Sequence, residues 1–189
     1  MKRAWILLSA LALLLTGCAR QDKHPEWDEN WTAFGDRMAM EPPRDFALAE
    51  FNDALSLNGI WYASWVSGEE RTVTNAEGEE ASAYAAQLYL LVKECAGEDE
   101  ATANVHDWID REAKSYRAGE PFERGVGTQS YSMLLLNAAN ENNPYSHGAA
   151  AFALRGDMAI SAELLCAEGF EGDPLTILEQ FLNGIHYGE

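Results

Sequence analysis

Two apolar runs do most to limit the folds open to this chain. Residues 83–95 carry Leu88, Leu90, Leu91 and Val92 in nearly unbroken succession, and residues 158–166 read MAISAELLC. Both are too short for a core helix and are bounded by charged or turn residues, which predicts buried strands. Between them, residues 98–119 form the clearest helical pattern. Glu98, Asp99 and Glu100 open it, Lys114 and Arg117 close it and Gly119 follows, all in the sense that the helix dipole favours. Val105, Trp108, Ile109 and Tyr116 mark its apolar stripe.

Turn residues organise the rest. Gly156-Asp157 predicts a tight hairpin joining residues 149–155 to 158–166, and residues 129–139 predict another strand. Residues 122–128 read as loop or edge strand. Asn58-Gly59, between ALSL and IWYASWV, predicts a hairpin of residues 54–57 with 60–67. Asp173 and Pro174 open a last helix with Leu175, Leu178, Leu182 and Ile185 on one stripe. The order hairpin, strand, helix, strand, hairpin, helix predicts an α+β fold, an antiparallel sheet with helices packed on one face.

Residues 1–18, MKRAWILLSALALLLTGC, combine a basic head with an apolar run too short to span a membrane durably. The ending Leu15-Thr16-Gly17-Cys18 resembles the lipobox of bacterial lipoproteins at all four positions. The resemblance implies that residues 1–17 are removed and that Cys18 is acylated. It also implies lipid anchoring in the cell envelope. Ala19 is not the aspartate that resembles an inner-membrane retention signal, so the expected address is the outer membrane, facing the periplasm. Residues 18–26 then read as a polar, lipidated tether. Trp27, Trp31, Phe34 and Met38, spaced four, three and four, predict an amphipathic helix over residues 27–43, lying in the membrane interface or docked on the domain. Residues 44–189 are expected to form a single domain.

Charge and cysteine usage follow from that assignment. The 189-residue chain holds 13 Lys and Arg against 31 Asp and Glu, and the signal segment takes away two bases and no acid. A body this acidic argues against nucleic acid or anionic surfaces as partners and leaves membrane attachment to the lipid. It suits either a basic protein partner or plain solubility. With Cys18 committed to lipid, Cys95 and Cys166 remain, and an oxidising compartment predicts that they pair. Such a bridge would stabilise the fold by roughly 4 kcal/mol.

Catalytic motifs are sparse. His24, His106, His147 and His186 show no HxxxH or HExxH spacing, and Ser130 and Ser132 lie outside any GxSxG elbow. Glu69, Glu70, Glu77, Glu79 and Glu80 fill a loop or exposed hairpin tip that either gathers calcium or is simply solvated, without the spacing of an EF-hand. No cofactor is expected beyond the lipid on Cys18, and no metal. His147, crowded by Asn142, Asn143, Tyr145 and Ser146, is the best polar candidate. Trp61 and Trp65, on one face of a strand, line either a groove or the core.

The arrangement of residues 83–95, 98–119, 148–166 and 173–185 resembles the PsbP-like fold, shared by the photosystem II extrinsic subunit and DcrB-like bacterial lipoproteins. The resemblance implies an α+β domain and a role that is mostly non-catalytic: binding or stabilising an assembly, or acting as an immunity protein against a secreted toxin. The first expectation is a lipid-anchored envelope protein that binds another protein. The alternatives are an immunity protein neutralising a toxic effector, and an envelope hydrolase with an unrecognised site.

Overall fold

The computed structural model describes residues 27–52, 59–74, 80–138 and 143–188. Cys18 and the tether lie outside them. Their centre is a seven-stranded sheet made of β3 (Ala47–Asn52), β4 (Ile60–Ser67), β7 (Ala86–Glu94), β8 (Phe122–Val126), β9 (Gln129–Asn137), β10 (His147–Arg155) and β11 (Met158–Cys166). Its spatial order is β3-β4-β7-β11-β10-β9-β8, and every neighbouring pair is antiparallel. The α+β class and the antiparallel sheet therefore stand as the sequence predicts.

Side-chain alternation divides the sheet into two faces. Trp61, Trp65, Leu88, Leu90, Val92, Met133, Ile160 and Leu164 pack on one of them. Helix α2 (Pro174–Asn183) covers this face with Leu178, Phe181 and Leu182. A small three-stranded sheet covers the remainder: β1 (Thr32–Phe34), β2 (Met38–Met40) and β12 (Ile185–Tyr187) contribute Phe34, Met38, Met40 and Ile185. Leu134, Leu136, Ala150, Phe152, Ala159 and Leu165 point the other way, under Ala101, Val105 and Trp108 of helix α1 (Glu98–Ser115). The helices thus lie on opposite faces, which corrects the expectation of one shared face. Strand order is the reason: the apolar positions of β9, β10 and β11 are doubled, one set on each side, and each set needs its own cover.

The predicted helix over residues 27–43 is corrected as well. Its apolar spacing fits a helical stripe, yet Thr32–Phe34 and Met38–Met40 form a hairpin turned at Gly35, whose φ of 61° suits glycine. Pairing with β12, in which Met40 meets Ile185 and Met38 meets Tyr187, rewards extended backbone that local periodicity cannot register. Phe34, Met38 and Met40 are almost fully buried in the main core, so this segment is part of the domain and not an appendage to it.

Other local signals meet their expectations. Gly156 turns β10 into β11 at φ 60°. Asp173 caps α2, its carboxylate accepting from Thr176 N at 2.9 Å and Thr176 Oγ1 at 2.6 Å. Ile185 leaves the helix for β12, since α2 ends at Asn183. Helix α1 stops at Ser115, short of Gly119, and the backbone is extended at Tyr116. The strand that pairs with β4 is Ala47–Asn52, with Asn52 opposite Tyr62. A two-residue turn at Asn58-Gly59 would set Leu55 there instead. Residues 53–58 lie outside the described residues. β5 (Arg71–Thr74) and β6 (Glu80–Ala83) form the expected exposed hairpin.

Candidate functional site

Sheet coverage is unequal, and the inequality locates the site. The face under α2 is covered from β4 to β9, whereas on the other face α1 rests on β10 and β11. Among the described residues, no helix is centred over β3, β4 and β7 on that second face, where Tyr89 and Leu91 of β7 and Val73 and Ala83 of the β5–β6 hairpin pack at the margin of the α1-side cluster. Hydrogen-bonded register carries a row of side chains across it: Glu50 opposite Ser64, Ser64 opposite Tyr89, Tyr89 opposite Glu163, and Glu163 opposite Ala150. Of these, Glu50 is exposed, Tyr89 and Glu163 are part-buried, Ser64 is buried between its neighbours, and Ala150 lies beneath α1. The next row adds Asn52, Tyr62 and Leu91. The rings of Tyr62 and Tyr89 are 6.1 Å apart and tilted by 35°.

Glu163 is the group that gives this face its chemistry. Alternation in β11 turns it toward α1, where Glu112 and Tyr116 approach it. Its Oε1 is shut off from solvent and has no hydrogen-bond partner among the described residues, while the Tyr116 hydroxyl donates toward the carboxyl group. Burial, reinforced by the negative charge of Glu112, pushes Glu163 up to about 8. Glu112 is also raised by burial, although Arg111 Nε at 3.9 Å favours its charged form. Tyr62, Tyr89 and Tyr116 are raised above the ordinary phenol value, in each case mainly by burial. The face therefore holds a protonated carboxylic acid near neutral pH, a second partly buried carboxyl and three neutral phenols.

The residues singled out from sequence are placed differently. Trp61 and Trp65 are each 1% exposed and belong to the α2-side core, so the groove reading of this pair is corrected. Phe34 meets Trp61 edge-on at 6.4 Å, and Phe181 meets Trp65 at 5.3 Å. Tyr145 is buried and fastens its loop to the sheet, donating to Gln87 Oε1 at 2.8 Å and accepting from Tyr84 N at 3.4 Å. His147 opens β10, with Nδ1 2.8 Å from Ser146 Oγ.

Cys95 and Cys166 are both free, which corrects the expected disulfide. Cys166 pairs with Ala86 at one end of β7, and Cys95 follows Glu94 at the other end. At about 3.3 Å per residue the two stand roughly 30 Å apart, far beyond the ~7 Å limit for a bridge. Both end an apolar strand, but antiparallel pairing of those strands sends the ends apart. Register also sets Asn137, His147 and Cys166 side by side on three neighbouring strands. That row has the residue types of a thiol nucleophile, yet burial pushes the Cys166 thiol up to about 12, so it stays protonated and inert.

A groove of about 350 Å³ beside α1 brings together His106, Glu123, Ser130 and Ser132, a set invisible from sequence spacing. Ser130 Oγ donates to Glu123 Oε2 at 3.3 Å. Among the described residues no serine–histidine hydrogen bond forms there. Elsewhere, Trp31 stacks on His186 with ring centres 4.1 Å apart, and His186 Nε2 lies 2.8 Å from Glu41 Oε1, beside a cleft of about 220 Å³. Among the described residues no three His, Cys, Asp or Glu side chains gather as a metal-ligand group, and no helix is long and apolar enough to cross a membrane. Glu77 and Glu79 lie outside those residues.

The tyrosine and glutamate row escaped sequence reasoning because its members come from four strands and one helix. Alternation in β11 could have flagged Glu163, the one charged residue inside an apolar strand.

No family model matches the chain, and no curated protein matches it in sequence. Two solved structures are similar in arrangement. A crystal structure from Bacteroides thetaiotaomicron VPI-5482 aligns at 12% identity and a TM-score of 0.46, covering 80% of this chain and 45% of its own. The solution structure of cyanobacterial PsbP (CyanoP) from Synechocystis sp. PCC 6803 aligns at 12% identity and a TM-score of 0.48, covering 88% of this chain and 97% of its own. The chain thus spans less than half of the Bacteroides protein and nearly the whole of the cyanobacterial one.

Proposed function

We propose that this chain is a non-catalytic lipoprotein of the bacterial cell envelope, anchored through Cys18, that binds a protein partner across the open half of its sheet. The observation that carries the reading is the row Glu50, Ser64, Tyr89 and Glu163, over which no described helix is centred, on a sheet whose other face is covered by α2 and the small sheet from β4 to β9. Tyrosines with raised phenol values and partly buried rings supply contact area with little side-chain entropy to lose. The anchor rests on Leu15-Thr16-Gly17-Cys18 after an apolar run, and the outer membrane is the proposed address. A PsbP-like kinship, drawn from the succession of strand and helix runs, is part of the same proposal.

Two observations favour binding over catalysis. The buried Cys166 thiol is held protonated, and Ser130 is engaged by a carboxylate in place of an imidazole. An acidic partner-binding face also suits an immunity protein that masks a basic effector, and a toxin gene beside this one would favour that version.

The test is site-specific photo-cross-linking in the native envelope. A benzoylphenylalanine at Tyr62 is expected to trap a discrete protein, and one at the exposed Leu135 is not. Equal trapping at both positions, or at neither, overturns the assignment of the face. Mass spectrometry of the same membrane preparation is expected to find Cys18 acylated as the N-terminal residue.

A further inference from the structure

We propose that the open half-face receives a cationic side chain, a lysine or arginine of the partner, against Glu163 and Glu112 at the edge of α1. This rests on the reading of that face as a partner-binding surface and specifies what it recognises. Two carboxyl groups lie close enough to repel there, Glu163 from β11 and Glu112 from α1. Arg111 approaches Glu112 at 3.9 Å, and its charge also favours the ionised form of Glu163 without supplying a hydrogen bond to Oε1. Glu163 Oε1 has no donor among the described residues. An unpaired buried oxygen costs the fold about 1–3 kcal/mol, which a donor from outside would recover. Glu163 is part-buried as a residue while Oε1 itself is closed off, so the carboxyl group must turn toward the open side to meet a cation.

The surroundings suit a cation in other ways. Glu50 from β3, Tyr62 from β4, Tyr89 from β7, and Glu112 and Tyr116 at the end of α1 face the same space, and every one of them is acidic or aromatic. The negative faces of the Tyr62 and Tyr89 rings attract a cation, by about 0.5–1 kcal/mol at a partly exposed site. At long range, 31 acidic against 13 basic residues draw basic partners and repel acidic ones.

A proton is linked to this binding. Free Glu163 is protonated near neutral pH, whereas a bound cation favours the ionised form, so the cation displaces the proton. Binding must therefore strengthen as pH rises through about 8.

Titration calorimetry of the full chain with the peptide acetyl-Lys-Lys-Lys-amide tests this, with the acetyl-norleucine trimer as the uncharged control. The ionised fraction of Glu163 rises about 25-fold between about pH 6.5 and about pH 8.5, and affinity for the lysine peptide is expected to follow it. Glu163→Gln is expected to flatten that dependence. Should this variant fold poorly, the wild-type chain gives an independent readout: titration near pH 7 in two buffers of different ionisation enthalpy is expected to release close to one proton per peptide. Affinity that does not change with pH, together with no proton release, overturns the proposal. A lysine peptide that fails to bind while Tyr62 still cross-links a protein overturns the cation alone and leaves the binding face standing.

Discussion

Replacing Glu163 with glutamine is expected to remove a pH dependence from the stability of the fold. In the unfolded chain this carboxyl titrates near 4.5, and in the folded protein burial and the charge of Glu112 raise it to about 8. Below 4.5 both states hold the proton and the site is neutral with respect to stability. As pH rises above that value the unfolded chain releases its proton while the folded protein keeps it, so stability falls. The fall is complete once pH passes about 8, where the folded protein ionises too. A tenfold difference in proton affinity is worth about 1.4 kcal/mol, so the full loss across this window is on the order of 5 kcal/mol. That is an upper bound, because an ionised Glu163 can swing toward the open half of the sheet and regain water. Glutamine keeps the shape and never ionises. Urea unfolding with linear extrapolation at several pH values should show the variant close to wild type near pH 4.5 and increasingly more stable toward about pH 9. The strong net negative charge weakens both proteins alike as pH rises, so the difference between them isolates the single site. A difference that stays constant across the range would refute the placement of Glu163 beside Glu112 in a desolvated edge.

Trp65→Ala should cost about 3–5 kcal/mol in the same unfolding assay, since it empties a fully buried site packed edge-on against Phe181. A loss below about 1 kcal/mol would mean that the ring faces a groove after all. Alkylation after denaturation without reductant should label both Cys95 and Cys166, and finding a linked peptide pair would contradict the strand register that sets them at opposite ends of β7.

Local signals in the sequence predict most of the elements. Asp173 with Pro174, the acidic start of α1 and the glycine turn at Gly156 act within a few residues, and each sits where its chemistry requires. What the sequence hides is set by pairing over long separations. The Trp31, Phe34 and Met38 spacing looks helical until β12 offers a partner to β2. Residues 83–95 read as apolar on both faces, but β7 alternates between fully buried positions and half-buried ones, among them Tyr89 and Leu91. The candidate face is hidden for the same reason. Glu50, Tyr62, Tyr89 and Glu163 become neighbours only through register, and Glu112 only through the docking of α1. The cysteine expectation failed on direction: both strand ends were legible, while their antiparallel relation was not.

The small sheet that joins β1 and β2 to β12 bears on the order in which the molecule can assemble. Glu41 and His186, paired beside it, are 145 positions apart in the chain. Met38 and Met40 lie opposite Tyr187 and Ile185 near the other end, and Glu41 N donates to Gly184 O on the same seam. Loop closure over such a span is slow, and its entropy must be spent before the contacts form. The β1–β2 hairpin can form locally, but residues 38–40 wait for their second partner strand until residues 185–187 have been made. A chain made from its N-terminus cannot lock this seam early. The seam closes only when β12 has been made.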